Sequence, residues 1–375
     1  MAHATHTVNA LPAWSWALPL AALVLLAAKF GGIVPADATI VLVLAAVLLC
    51  AAVFASVHHA EVIALKVGEP FGSIVLAIAI TVIEVALIVS IMLSAQAGSE
   101  TLARDTVFAT VMLVLNGIVG LCLVLGGARH HQQRFQTDAS AAALSVLGTL
   151  AVITLLLPNF TRGAEGPVFS PVEAIFIGLA SVVLYGVFLF VQTIRHRDYF
   201  LVEEEGPGGP DDPDDSHLAQ VAPSNRIALI CLALLVLSLA GVVLLAKALS
   251  PTLEGAIAAA GLPKAAVGVV IAAIVLLPEG IAAVRAAQIN HLQISLNLAL
   301  GSAMATIGLT IPIVAVVALA LGYNLVLGLG QWEMMLLALT LFISTVTLAT
   351  GRTTILQGAV HLVIFAVFMV LVLAG

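Results

Sequence analysis

Apolar runs of about 20 residues recur along nearly the whole chain, separated by short stretches that hold Gly, Pro and most of the charge. Each run is long enough to cross roughly 30 Å of hydrocarbon as a helix. The runs are continuous rather than alternating, and backbone groups in lipid must be satisfied internally, so helices are expected and not a barrel. Spans are predicted at about residues 12–32, 38–57, 71–96, 105–127, 140–158 and 171–194. A second series follows at about 226–249, 264–284, 292–321, 329–349 and 354–374. The expectation is an all-α integral membrane protein with eleven transmembrane helices.

Between the sixth and seventh spans lies "RHRDYFLVEEEGPGGPDDPDDSHLAQVAPSN", with the Pro, Gly and acid of a solvated linker. It divides the chain into a leading helix (1–34), a first group of five spans (35–196), the acidic linker (197–224) and a second group of five (225–375). The two groups match in order, third span against eighth and fourth against ninth. "VLAIAITVIEVALIV" (75–89) overlays "VIAAIVLLPEGIAAV" (270–284) so that Glu84 falls on Glu279. Five is odd, so the second group starts on the opposite side of the membrane from the first. Inverted repeats of this kind place a binding site at the midplane where the copies meet.

Composition agrees: 62% of the 375 residues are hydrophobic, 9% are charged and the mean hydropathy is +1.20, beyond what a soluble domain can cover with polar surface. The three cysteines, Cys50, Cys122 and Cys231, are isolated in apolar runs and suggest packing, not a disulfide or thiolate site. The N-terminal "MAHATHTVNALPAWSW" has neither the basic start nor the cleavage site of a signal peptide, so the first run is expected to stay as a span. Most of the excess negative charge sits in the linker. Eight of the thirteen Lys and Arg residues fall on the side that holds the N-terminus and linker, which favours a cytoplasmic N-terminus and a cytoplasmic linker.

Of the twenty acidic residues, only Glu84 and Glu279 lie mid-span. A charge at a helix centre costs roughly 2.5 to 3.5 kcal/mol on insertion scales, so such acids are usually paired, cavity-facing or functional. The functional reading is that both project into a central cavity, bind a cation between them and take up protons when it leaves. Protons and cation compete for the same oxygens, which is enough to couple opposite fluxes. The plainer alternative is a pair of protonated acids that serve as polar glue between helices.

Further ligands are expected nearby. Pro278 and Pro312 lack an N–H, so they deny a donor to the carbonyls of Ile274 and Gly308 and are read as helix-breaking. The ninth span carries Ser295, Asn297, Ser302, Thr306 and Thr310, and the fourth carries Asn116. Ser and Thr in membrane helices often bond their own carbonyls, whereas Asn is rarer and costlier in lipid. His361, alone in the last span, reads as a helix-contact residue rather than a proton relay. No phosphate-loop or H-E-x-x-H motif occurs, and no soluble stretch could hold a nucleotide domain, which argues against ATP-driven pumping. Nothing points to nucleic acid.

At these residues the chain resembles the cation/proton exchangers of the calcium:cation antiporter superfamily, and within it the bacterial ChaA-type branch. The resemblance rests on "GEPFGSIVLAIAITVIEVALI", "LLPEGIAAV", "SLNLALGSAMATIGLTIPIV", "LGGARHHQQRFQ" and "YGVFLFVQTIRHRDYF", and covers nearly the whole chain. It implies an eleven-helix antiporter in which Glu84 and Glu279 carry ion and proton, with Gly301, Ser302 and Asn116 lining the path. The chain departs from the calcium exchangers, which place Asn three residues before each glutamate where Thr81 and Leu276 stand here, and Gln where Ala305 stands. Calcium prefers six to eight oxygen ligands, so losing amide carbonyls weakens a dedicated calcium cage. ChaA-type exchangers share these departures and are associated with sodium and potassium as well as calcium.

The expected function is therefore exchange of Ca2+, Na+ or K+ for H+ by alternating access, with no cofactor and no enzymatic activity, in a bacterial plasma membrane. The bilayer, cations and protons are the expected partners, and a homo-oligomer is compatible with the reading. The alternatives are a cation channel and a sodium/calcium exchanger in which protons do not substitute.

Overall fold

A computed structural model describes residues 11–35, 38–68, 71–92, 99–200, 223–323 and 325–374. The middle of the acidic linker, residues 201–222, lies outside the described residues. Eleven long helices make up most of the rest. They are α1 Ala13–Phe30, α2 Thr39–Val67, α3 Phe71–Met92, α4 Leu102–His130, α5 Thr137–Asn159 and α6 Pro171–Arg195, then α7 Asn225–Ala259, α8 Ala265–Gln288, α9 Leu292–Leu321, α10 Gln331–Leu348 and α11 Ile355–Ala374. Ten are long and apolar enough to cross a membrane, and α3 holds the apolar stretch Ile74–Ser90.

The helix ends follow local chemistry. At α6, Pro171 takes the first position, and Ser170 and Glu173 cap each other's backbone N–H groups. At α10, the Glu333 carboxylate accepts from the Gly330 N–H at 2.6 Å. Gly68 ends α2 and Gly322 ends α9, both with positive φ. Helix α2 runs about ten residues past its expected end. No Gly or Pro interrupts it before Gly68, so the polar run His58–His59–Ala60–Glu61 stays helical and does not mark a boundary. His59 instead ties α2 to α1 through the Ser15 carbonyl, at 2.9 Å.

The chain forms two compact units, Met1–Ile80 with Val202–Leu245, and Thr81–Leu201 with Ala246–Gly375. In the first, α1 packs on α2, and Ala60, Ile63, Ala79, Cys231 and Leu235 share an apolar cluster.

The second unit is built around α4. Helix α8 runs parallel to it: Gly268 abuts Asp105 and Thr106, Gly280 abuts Ile118, and the Gln288 carbonyl meets His130 Nε2 at 2.8 Å. Since α3 and α4 are successive spans of opposite direction, α8 runs opposite to its counterpart α3, as inversion requires. Helix α11 packs antiparallel to α4 through small residues, with Gly117 against Phe365, Gly120 against His361 and Leu362, and Gly127 against Ile355. Glycines let the backbones approach closely where lipid gives no hydrophobic drive to pack. A two-residue antiparallel ribbon, Gln133–Arg134 with Arg352–Thr353, joins the α4–α5 and α10–α11 loops.

Helices α4 and α9, which correspond in the two repeats, each contain a stretch of widened π-type turn, Leu113–Ile118 and Thr306–Thr310. Such turns disturb the regular ladder and recur at functional sites. Gly308 in the second turn lies so close to Tyr185 that a Cβ there would sit 2.7 Å from the tyrosine Cβ.

Candidate cation site

Acids at the helix ends have local partners. Glu173 and Glu333 serve caps, and Asp105 is held by Arg104 at 2.8 Å and by the Thr101 hydroxyl at 2.9 Å. Glu84 differs. It lies in the middle of α3, 1% exposed, and accepts a hydrogen bond from Thr310 Oγ1 at 2.6 Å. Thr306, one turn earlier, also reaches this carboxylate. Both hydroxyls belong to the widened turn of α9.

Ser302, Thr306 and Thr310 recur every fourth residue and so form one stripe along α9. Thr81 lies three residues before Glu84 on the same face of α3. The hydroxyls of Thr81 and Ser302 are buried and have no hydrogen-bond partner among the described residues. Buried hydroxyls are nearly always satisfied, so these two are available to an ion or to water. The structure thus brings two hydroxyls to one carboxylate and sets two more, unpartnered, on the same helix faces. Among the described residues no three of His, Cys, Asp and Glu come together to hold a metal.

Glu279 is buried in α8, 8% exposed, beside Gly280, which packs on Ile118 of the widened turn of α4. The relation is crosswise: Glu84 of the first repeat meets the widened turn of α9 in the second, and the helix of Glu279 meets the widened turn of α4 in the first. The break expected at Pro278 is absent, since α8 runs unbroken from Ala265 to Gln288. The proline denies a donor to the Ile274 carbonyl without ending the helix, because packing along α4 holds both sides of it. Pro312 sits two residues past the widened turn of α9, in the first turn of the α-helical stretch that follows it.

The other candidates are held by protein groups. Asn116 donates to Thr340 Oγ1 at 2.9 Å and lies 3.1 Å from His361 Nδ1. Ser295 donates to the Ala283 carbonyl at 2.6 Å and so ties α9 to α8. Asn297 donates to the Phe200 carbonyl at 2.7 Å and accepts from Gln293 at 2.8 Å. Thr310, named with the other polar residues of the ninth span, is marked as part of the stripe by its four-residue spacing from Thr306 and Ser302. Thr340, Ser344 and Thr347, a buried hydroxyl face of α10, were not anticipated, though their spacing carries the same kind of signal.

Two inverted groups of five membrane helices, with a buried carboxylate on the corresponding helix of each, are the architecture of a secondary cation transporter. The chain belongs to the sodium/calcium exchanger protein family, which it matches over residues 38–194 and 230–374. It is 54% identical over 361 residues to y4hA of Sinorhizobium fredii, an ionic transporter by name, covering 96% of each chain. It is 35% identical over 321 residues to the sodium-potassium/proton antiporter ChaA of Escherichia coli, covering 86% of this chain and 85% of ChaA. The solved structure of native YfkE matches the fold with a TM-score of 0.72 at 15% identity, over 96% of this chain and 100% of YfkE.

Proposed function

We propose that the protein is a proton-coupled cation antiporter in which Glu84 and Glu279 take cation and proton in turn. The observation that carries this is the contact of Glu84 with Thr310, because it seats a buried carboxylate of one repeat on the widened turn of the other. Ionised, the acids bind a cation together with the hydroxyls of Thr81, Ser302, Thr306 and Thr310. When the cation leaves, protons replace it and neutralise the site, so either loaded form can cross between the two access states while the empty, doubly charged form is the costly one. The coupling of opposite fluxes follows from that exclusion.

Of the three positions where calcium exchangers carry an amide, one holds a hydroxyl, Thr81, and two hold apolar side chains, Leu276 and Ala305. Fewer strong oxygen donors suit Na+ and K+ better than Ca2+, which takes six to eight, and ChaA is named for sodium and potassium. Sodium and potassium are therefore the preferred substrates here, with calcium a weaker one. The protein works in a bacterial plasma membrane with its N-terminus and acidic linker in the cytoplasm, where it exports cations against inward proton flow.

The test is an imposed proton gradient in everted vesicles, challenged in turn with Na+, K+ and Ca2+, for wild type, Glu84→Gln and Glu279→Gln. Wild type should dissipate the gradient with Na+ or K+ at lower concentrations than with Ca2+, and both variants should be inactive. Cation flux without proton counterflow would replace this reading with a channel or a proton-independent exchanger. Retained coupling in either variant would remove that acid from the site.

A further inference from the structure

A second buried polar system lies in α4, α10 and α11. His361 places Nδ1 3.1 Å from Asn116 Oδ1 and Nε2 3.2 Å from Thr347 Oγ1. Asn116 Nδ2 donates to Thr340 Oγ1 at 2.9 Å, and Thr340 donates to Met112 Sδ at 3.4 Å. All the polar members are buried.

The direction of this chain follows from its last member. A thioether can only accept, and Met112 Sδ lies 3.4 Å from Thr340 Oγ1 and 3.7 Å from Asn116 Nδ2, so both neighbours turn a donor to it and Thr340 offers its oxygen to Asn116. Asn116 therefore turns its NH2 toward Thr340 and its carbonyl toward His361. That carbonyl requires a donor, which puts the proton of the neutral imidazole on Nδ1 and leaves Nε2 to accept from Thr347. One tautomer of His361 and one orientation of Asn116 satisfy every member.

Packing holds the imidazole in place. A Cβ at Gly120 would lie 3.1 Å from His361 Cβ, and one at Gly117 would meet Phe365 at an ordinary contact distance of 3.5 Å. Asn116 belongs to the widened turn Leu113–Ile118, where the helix ladder is least regular, and Ile118 of that turn abuts Gly280, the neighbour of Glu279.

We propose that His361 is a positioning residue for the cation path: its Nδ1–H fixes the amide of Asn116, and with it the widened turn of α4 on which the Glu279 stretch of α8 is seated. This rests on the assignment of Glu279 as a carrier of cation and proton.

The test is Na+-dependent proton flux in everted vesicles, with Na+ titrated for wild type, His361→Leu, His361→Asn and Thr347→Val. Leucine cannot donate, so the Asn116 carbonyl loses its donor and the amide is held only from the Thr340 side; the apparent KM for Na+ should rise about tenfold while the maximal rate stays within about twofold. Asparagine carries an N–H at the position of Nδ1 and should recover most of the wild-type KM. Thr347→Val leaves the Nδ1–H bond intact and should keep the wild-type KM. In an Asn116→Ala background, His361→Leu should add no further change. An unmoved KM in His361→Leu, an asparagine variant no better than leucine, a raised KM in Thr347→Val, or additive losses in the double variant would each overturn the proposal. If His361→Leu fails to accumulate in the membrane, the asparagine and valine variants still decide it. Wild type without cation-dependent proton flux would remove the antiport reading itself, whereas normal wild-type flux with an unmoved His361→Leu removes only the role of His361.

Discussion

Thr310 gives its hydroxyl proton to Glu84 Oε2 at 2.6 Å across 226 positions of sequence. The bond orients the carboxylate and leaves the lone pairs of the threonine oxygen for an ion. Thr310→Val keeps the shape and removes both, so the apparent KM for the transported cation should rise about three- to tenfold, while Thr310→Ser should stay near wild type. Cation titration of proton flux in vesicles measures this. Equal KM values for the valine and serine variants would show that the hydroxyl is not part of the site.

Competition between proton and cation has its own signature. If both use the carboxylates of Glu84 and Glu279, each competing proton should raise the apparent cation KM about tenfold per unit fall in pH, through the range where the acids are protonated. The maximal rate should change far less, because saturating cation displaces the proton. Initial rates over a grid of pH and cation concentration give the slope. A channel, or an exchanger indifferent to protons, would show a KM that does not follow pH in this way.

The membrane spans, the inverted repeats and the burial of the two mid-span acids were legible in the sequence because lipid penalises polar groups so heavily that hydropathy alone records them. The end of α2 was misread for a local reason: His58, His59 and Glu61 look like interfacial punctuation, yet nothing there stops a helix. Pro278 was expected to break α8, but packing along α4 outweighs one lost hydrogen bond. The widened turns of α4 and α9 have no residue signature, so the seat of Glu84 on Thr310 could come only from tertiary structure. His361 was legible as a helix-contact residue; that its contact would be Asn116 was not.

Ser295 and Asn297 were singled out with Ser302 and Thr306, but the structure gives them different work. Ser295 bonds the Ala283 carbonyl and Asn297 the Phe200 carbonyl, whereas the Ser302 hydroxyl is buried without a partner among the described residues. Ser295→Ala should lower thermal stability by about 0.6 to 2 kcal/mol, the worth of an interhelical hydrogen bond in a membrane, and leave the cation KM unchanged. Ser302→Ala should do the reverse. Melting in detergent beside vesicle transport separates the two, and a raised KM in Ser295→Ala would return that residue to the path.

Gly308 couples stability and transport in one position. A Cβ there would meet the Tyr185 Cβ at 2.7 Å, backbone-proximal atoms on both sides that cannot turn away, so Gly308→Ala must push the widened turn of α9 off α6. Overpacking of this kind costs roughly 1 to 3 kcal/mol. The same displacement moves Thr306 and Thr310 relative to Glu84, so the cation KM should rise with the fall in melting temperature. Gly186, also in the α6 helix, has nothing within 4 Å of an added Cβ. Gly186→Ala should therefore melt at or above the wild-type temperature, by up to about 1 kcal/mol, with unchanged KM. A Gly308→Ala protein with wild-type stability and KM would mean that the turn can shift freely, and that the close seat of Tyr185 does not hold the Glu84 site in place.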